Sequence, residues 1–454
     1  MESNVTLRKS LTMFQAAFLG LAWMTPMIYF SVFGIAYDAS QGSITEAYVL
    51  ALVAIVFTAV SYSILSGIFP TSGSAYTYVK QAIHPYLGFL VGWAIMLDYL
   101  FSPLIAYLTF GIFLHAQFPA VPSFVWIVLL NVLVALVNIV GIKVSALVSK
   151  LFVLIQICFI VLVCFLLVRT LMGQPAAILP FADWSSHYST ALAGASIICF
   201  SFLGFDVVTT MAEETKDAKK NIPRAVMLII IVAGILYISL SMLIQMVFPS
   251  LSFANLDAAG FELIKQIGGA ALGLMFIMVM ILAIFTQGLT SITSVSRLLF
   301  VFGRDAILPK RFFGRLSAKF LTPVNNIVLV SVLSLFALSI SLDMAVKFVS
   351  FGSLVSFVFV NVCVIVECYF KRKMRSLPQT FLYFIFPLLG AVFICWLLSL
   401  LDSHALRLGF AWMAAGVIYH AYRTKLSKGW LKQSLLDARE QRRQMVLRAM
   451  MADD

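Results

Sequence analysis

Apolar residues run through this chain in twelve stretches, at about 12–36, 46–69, 87–114, 122–141, 147–171, 190–212, 225–248, 270–300, 323–341, 346–370, 379–400 and 406–423, parted by polar connections. A helix needs about 20 apolar residues to cross a hydrocarbon core, and backbone groups in lipid must be bonded within their own segment. The pattern therefore predicts an all-α integral membrane protein with twelve transmembrane helices. Two stretches are interrupted. The first reads FLGLAWMTPMIYFSVFG, with Gly20, Thr25, Pro26 and Gly34 inside what would be one helix. Pro26 removes a backbone donor and crowds the preceding turn. The sixth reads IICFSFLGFDVVTTMAEE, where Gly204 is followed two residues later by Asp206. The two broken stretches are five apart in order. That spacing predicts two inverted five-helix repeats, about 12–171 and 190–370, each opening with a broken helix, followed by helices 11 and 12 at about 379–423.

Charge orients the helices. Of 31 Lys and Arg, all but Arg169, Lys265, Lys347 and Arg407 fall on one side of this twelve-span arrangement. Basic residues beside short loops stay cytoplasmic during insertion, so both termini are expected inside a bacterial plasma membrane. Composition agrees, with 62% hydrophobic and 11% charged residues and a mean hydropathy of +1.02. The net charge of +12 sits in inter-helix loops and suits anionic lipid head groups, with no nucleic-acid partner implied. Residues 1–423 read as one transporter domain and 424–454 as a basic cytoplasmic tail, lying on the inner leaflet or solvated. A cleavable leader is not expected. The six cysteines all lie in apolar stretches and read as packing residues.

Several classes drop out. There is no GxxxxGK[ST] loop for an ATP-driven pump. His84, His115, His187, His404 and His420 lie scattered in or near loops on both sides, so an enzyme is not expected, nor a metal site or a cofactor. Paired broken helices expose backbone groups near mid-membrane and suit a carrier better than a pore.

Three segments carry a family likeness: FPTSGSAYTYVKQAIHPYLGFLVGW at 69–93, FSFLGFDVVTTMAEETKDAKKNIPRAV at 200–226 and SRLLFVFGRDAILPKRFFGRLSAKFLTP at 296–323. They resemble the amino acid–polyamine–organocation (APC) transporter superfamily, and with the span count the resemblance covers nearly the whole chain. GLAWMTPM at 20–27, LDYLFSPLI at 97–105 and CFSFLGFDVVTT at 199–210 are most similar to bacterial putrescine importers. The resemblance implies proton-coupled import of a small amine-bearing solute, putrescine or a related polyamine, with an amino acid permease or exchanger as the alternative. A homodimer is one assembly open to it. Two departures stand out. Ser31 occupies the place where the importers carry an aspartate, and GLAWMTP lacks the Gly-Ser/Thr-Gly run with which amino acid carriers grip a carboxylate.

Candidate residues follow from depth. Asp98 stands about eleven residues into the third stretch, roughly 16 Å from its inner end, where a carboxylate needs a cation, a proton or a polar cavity. It reads as a substrate ligand, as the proton carrier, or as a carboxyl bonded between helices. Asp206 reads as a substrate ligand or as a cap on the second half-helix. Gly20, Gly204, Phe205, Thr25 and Ser31 are substrate-binding candidates by position. For the coupling ion, a proton is expected ahead of sodium. Asp98 is joined there by Gln156, which stands near where some proton-coupled relatives place a lysine, and by Thr290 and Thr293, which share a face with Thr286. Ordinary helix–helix bonding is the competing reading of those hydroxyls. Glu213, Glu214, Lys216, Asp217, Lys219 and Lys220 are expected to close an inner gate by ion pairs or to be solvated. No lysine or arginine is expected at mid-membrane to pair a substrate carboxylate.

Overall fold

Thr12 starts the first helix with a capping box, its hydroxyl accepting from the Gln15 amide at 3.3 Å while its own amide donates to Gln15 Oε1 at 3.0 Å. The computed structural model describes residues 7, 9–173, 184–248, 250–253, 256–317, 319–340, 342–401 and 403–426. The basic tail beyond Leu426 lies outside the described residues. Helices α1 (Met13–Met24) and α2 (Ile28–Ala39) meet at a 46° bend, followed by α3 (Ile44–Ile68), α4 (Ser74–Ala82), α5 (Pro85–Gln117), α6 (Ser123–Val140) and α7 (Ile142–Leu171). The next span is composite: α8 (Trp184–Ile198), then 3-10 turns at Cys199–Phe202 and Phe205–Glu214. Beyond it come α9 (Ala218–Val247), α10 (Ala259–Arg304), α11 (Lys310–Phe313), α12 (Val324–Ser334) and α13 (Leu342–Val364), which runs into a π-helical stretch at Ile365–Lys371. The last are α14 (Leu377–Thr380), α15 (Phe386–Ser399) and α16 (Ser403–Leu426).

Among the described residues nine helices are long and apolar enough to cross a membrane, ten when the bent pair α1–α2 counts as one span. The apolar helix Val324–Leu338 is shorter, and α16 carries His404, Arg407, His420 and Arg423 along its 24 residues. The chain is a multi-pass, all-helical membrane protein. Its one isolated β-bridge among the described residues joins Leu11 to Thr215.

Three connections hold more structure than the hydropathy pattern implied. The loop at 70–86 contains α4, and the loop at 301–322 contains α11. The stretch at 249–269 contains the first turns of α10, set off by non-helical Gly268 and Gly269. A short helix of that kind ends at a glycine pair and shows no membrane-length apolar run.

Two packings position the site. α1 lies against α9, α10 and the second 3-10 turn, and α5 lies along α13. Gly352 makes the second contact close, since a Cβ there would stand 2.6 Å from the Ala94 carbonyl oxygen and 2.9 Å from the Asp98 amide nitrogen.

Candidate functional site

The two breaks abut. Thr25 ends α1 at φ 56°, ψ 96°, and its hydroxyl donates to the Ala22 carbonyl at 3.0 Å, satisfying an acceptor that Pro26 leaves open. In the sixth span Leu203 is extended and Gly204 takes φ 109°, ψ −8°. Glycine alone is at ease there, and it also leaves room for Trp23, whose Cδ1 lies 2.2 Å from where a Cβ would fall. Trp23 in turn meets Tyr99 edge-on at 5.3 Å.

Asp206 is fully buried just past this break. The Tyr99 hydroxyl donates to its Oδ2 at 2.9 Å; Oδ1 has no hydrogen bond of good geometry among the described residues, although the backbone of Gly204, Asp206 and Val207 lies within reach of the carboxylate, as the helix-cap reading expects. Phe205 stands beside it, edge-on to Tyr62 at 5.6 Å and 5.4 Å from the Phe357 ring. Tyr62 also meets Tyr78 at 6.0 Å. The surroundings are a buried carboxylate with one open oxygen and an aromatic wall, and no ion pair holds Asp206 among the described residues. A cation with donors to spare would complete it.

Asp98 is buried within electrostatic range of Asp206 but has different partners. The Ser102 hydroxyl donates to Oδ1 at 3.0 Å and the Ser353 hydroxyl donates to Oδ2, tying α5 to α13. Both oxygens are occupied, as the reading of a carboxyl bonded between helices requires.

The remaining candidates separate. Gly20 lies inside the regular turns of α1 and faces Ile229 and Val208. Ser31 is exposed on α2, away from the two buried carboxylates. Gln156 Nε2 donates to Thr286 Oγ1 at 3.4 Å, and its Oε1 is unpartnered. The Thr290 hydroxyl donates to the Thr286 carbonyl at 2.9 Å, and the Thr293 hydroxyl to the Leu289 carbonyl at 2.8 Å and to Asn138 Oδ1. These two threonines spend their hydroxyls on helix bonding.

Charge gathers at the end of the sixth span. Arg297 on α10 is wholly buried and grips Glu214, Nε to Oε2 at 2.7 Å and a terminal nitrogen to Oε1 at 3.3 Å. Arg304 holds Glu213 in the same two-pronged way, at 2.8 and 3.0 Å. Lys80 and the Tyr76 hydroxyl both donate to Asp305 Oδ2, at 2.7 and 2.6 Å. Burial, with the Asp305 carboxylate adding to it, holds the Tyr76 hydroxyl well above the usual tyrosine range. The segment before α1 joins in, as the Ser10 and Leu11 amides donate to the Glu214 carbonyl at 2.8 and 2.9 Å. Lys216, Asp217, Lys219 and Lys220 are exposed, and Asp217 and Lys219 line a cleft of about 980 Å³. The acidic pair thus forms ion pairs while its basic neighbours are solvated.

Sequence reasoning missed Tyr99, Trp23 and Arg297. Trp23 and Tyr99 each sit inside quoted motifs, GLAWMTPM and LDYLFSPLI, and an aromatic beside a break or a buried acid was the available signal.

The likeness to known proteins agrees with this architecture. The family model described as Amino acid permease matches residues 16–420. The low-affinity putrescine importer PlaP of Escherichia coli (strain K12) is 37% identical over 430 residues, covering 93% of this chain and 95% of the relative. The branched-chain amino acid permease BcaP of Bacillus subtilis (strain 168) is 26% identical over 454 residues, with the same coverages of 93% and 95%. The methylthioribose transporter of Bacillus subtilis (strain 168) is 26% identical over 448 residues, again covering 93% and 95%. The resemblance carried by the three quoted segments is borne out: this chain belongs to the amino acid permease family of the APC superfamily and is a transporter, not an enzyme.

Proposed function

We propose that the chain imports a small diamine such as putrescine across a bacterial plasma membrane. Twelve spans in two inverted five-helix repeats would alternate access to a site between the two breaks, with both termini cytoplasmic. The observation that carries the reading is Asp206, buried past the second break with one unpartnered oxygen, an aromatic wall and no paired cation among the described residues. Burying a carboxylate with no counter-charge is costly even when it is hydrogen-bonded, so a cation would complete the site. Asp98 adds a second carboxyl within range, whose natural counter-ion is a proton from the gradient. The 37% identity to a putrescine importer supports the same substrate class. The alternative, an amino acid permease, draws on the branched-chain relative and on backbone groups freed at the breaks.

Uptake of labelled putrescine into proteoliposomes separates the two. Excess putrescine or cadaverine is expected to compete and neutral amino acids not. Asp206→Asn keeps the Tyr99 bond but removes the charge, and is expected to raise the half-saturation concentration at least about 100-fold. Competition by amino acids alone would replace the diamine reading with the alternative.

A further inference from the structure

On the far side of the breaks from Glu214, three tyrosines from three helices converge. Tyr29 of α2 stacks on Tyr48 of α3 at 4.9 Å, Tyr237 of α9 lies 5.9 Å from the first and 5.7 Å from the second, and all three are wholly buried. No hydrogen bond of good geometry reaches any of the three hydroxyls or the buried Ser201 hydroxyl among the described residues, and Ser201 stands close enough to the Tyr48 hydroxyl to bond it on a small adjustment. Four polar groups gathered in one buried place without partners are rare, because each carries a desolvation cost that a phenylalanine or alanine would avoid. A polar solute that entered this place for part of the cycle would relieve that cost.

The cluster adjoins the site already described. Phe202 meets Tyr237 edge-on at 5.3 Å, and Ser201 precedes Asp206 by five residues across the break. Phe202 touches the tyrosine cluster and Phe205 stands next to Asp206 in the chain, so the two places are joined through the break itself. Tyrosine suits an ammonium doubly, offering hydroxyl acceptors and the negative face of each ring.

We propose that Tyr29, Tyr48, Tyr237 and Ser201 form a subsite for the second ammonium of the diamine whose first ammonium meets Asp206, a claim that rests on the diamine reading above. The rings close on one another in the present conformation. The subsite opens when α2, the outer half of the first broken span, moves away from α3 and α9. It holds a cation without a carboxylate, by hydroxyl acceptors and ring faces.

The test uses Tyr→Phe substitutions at 29, 48 and 237, singly and together, and Ser201→Ala, in the full-length protein reconstituted in liposomes. Each removes one unpartnered hydroxyl and keeps the packing, so melting temperature is expected to hold or rise. The half-saturation concentration for putrescine is expected to rise at least tenfold in the triple variant. Inhibition by n-butylamine, which has a single ammonium for Asp206, is expected to stay within twofold. An unchanged putrescine value in a triple variant that transports normally would overturn the subsite alone. So would an equal loss of butylamine inhibition, which marks a structural role. A wild-type protein that accumulates no diamine would overturn the diamine reading, and the subsite with it.

Discussion

Substituting Glu214 by leucine takes away the carboxylate that the buried Arg297 grips through two nitrogens. The guanidinium keeps the Thr293 carbonyl and the Ser296 hydroxyl, both at 3.1 Å, but those dipoles do not neutralise it. Breaking one member of a buried pair costs about 3–5 kcal/mol, because the survivor stays charged and desolvated. The pair joins the end of the sixth span to α10, so the cost falls on the conformation in which those two elements touch. At about 1.4 kcal/mol per tenfold, the closed form loses two to nearly four decades of preference over any form that lets water reach Arg297. Replacing both residues, Glu214→Leu with Arg297→Met, leaves an apolar contact of similar volume and is expected to recover most of the closed population. A cysteine in place of buried Ser74, labelled by a membrane-impermeant thiol reagent in inside-out vesicles, reads that population. The expected order of labelling rate is Glu214→Leu fastest, then the double variant, then wild type. If the double variant labels as fast as the two single effects combined predict, the residues are not coupled and the ion pair is not a latch.

Gly204→Ala should abolish transport while leaving an inserted protein. The residue would have to adopt φ 109° and meet the Trp23 ring, a left-handed cost of about 1–2 kcal/mol before the clash is counted, and wild-type uptake by this variant would refute the tight abutment of the breaks. Asp98→Asn is expected to eliminate accumulation driven by a pH gradient while counterflow persists. Undiminished accumulation, or strict dependence on sodium, would remove Asp98 as the proton carrier. Reporter fusions or labelling should place Lys80, Lys219, Arg311 and Lys373 inside and His404 outside, and the twelve-span topology fails if Lys219 and His404 report the same side.

Most of the helical framework was legible because hydropathy over 20 residues is a local property, and so is a proline or a glycine within it. Pro26 and the Gly204–Asp206 pair announced both breaks before any contact was known. What pairs with what was not legible. Neighbours on a helix point about 100° apart, so Asp98 turns to Ser353 of α13 while Tyr99, next in sequence, turns to Asp206. Depth alone singled out Asp98, and it could not tell that the hydroxyl beside Asp206 comes from the next residue, Tyr99. Glu214 and Arg297 are 83 residues apart, and the Tyr29, Tyr48 and Tyr237 cluster draws on three helices. Contacts of that separation depend on how spans cross, which the period of one span does not encode. The threonines of α10 show another limit. Their shared face was real, yet a hydroxyl in a helix can satisfy itself on the carbonyl four residues back, as Thr290 and Thr293 do.

The two buried acids illustrate how unequal satisfaction divides labour. Asp98 accepts a hydroxyl on each oxygen and needs nothing further from its neighbours, so a solute gains little by approaching it. Asp206 accepts one hydroxyl and leaves one oxygen open, so a cationic donor gains a bond that the empty site lacks. The donor that serves Asp206 comes from the residue next to Asp98 on the same rigid helix. Any change of charge at Asp98 that loosens the Ser353 contact therefore acts on the backbone that carries Tyr99. Differential affinity between two positions of α5 is what a coupling ion requires, since a ligand shifts an equilibrium only by as much as its affinities for the two states differ. If a proton at Asp98 is the coupling ion, one helix carrying both groups at adjacent positions would supply that link with no chain of intermediaries.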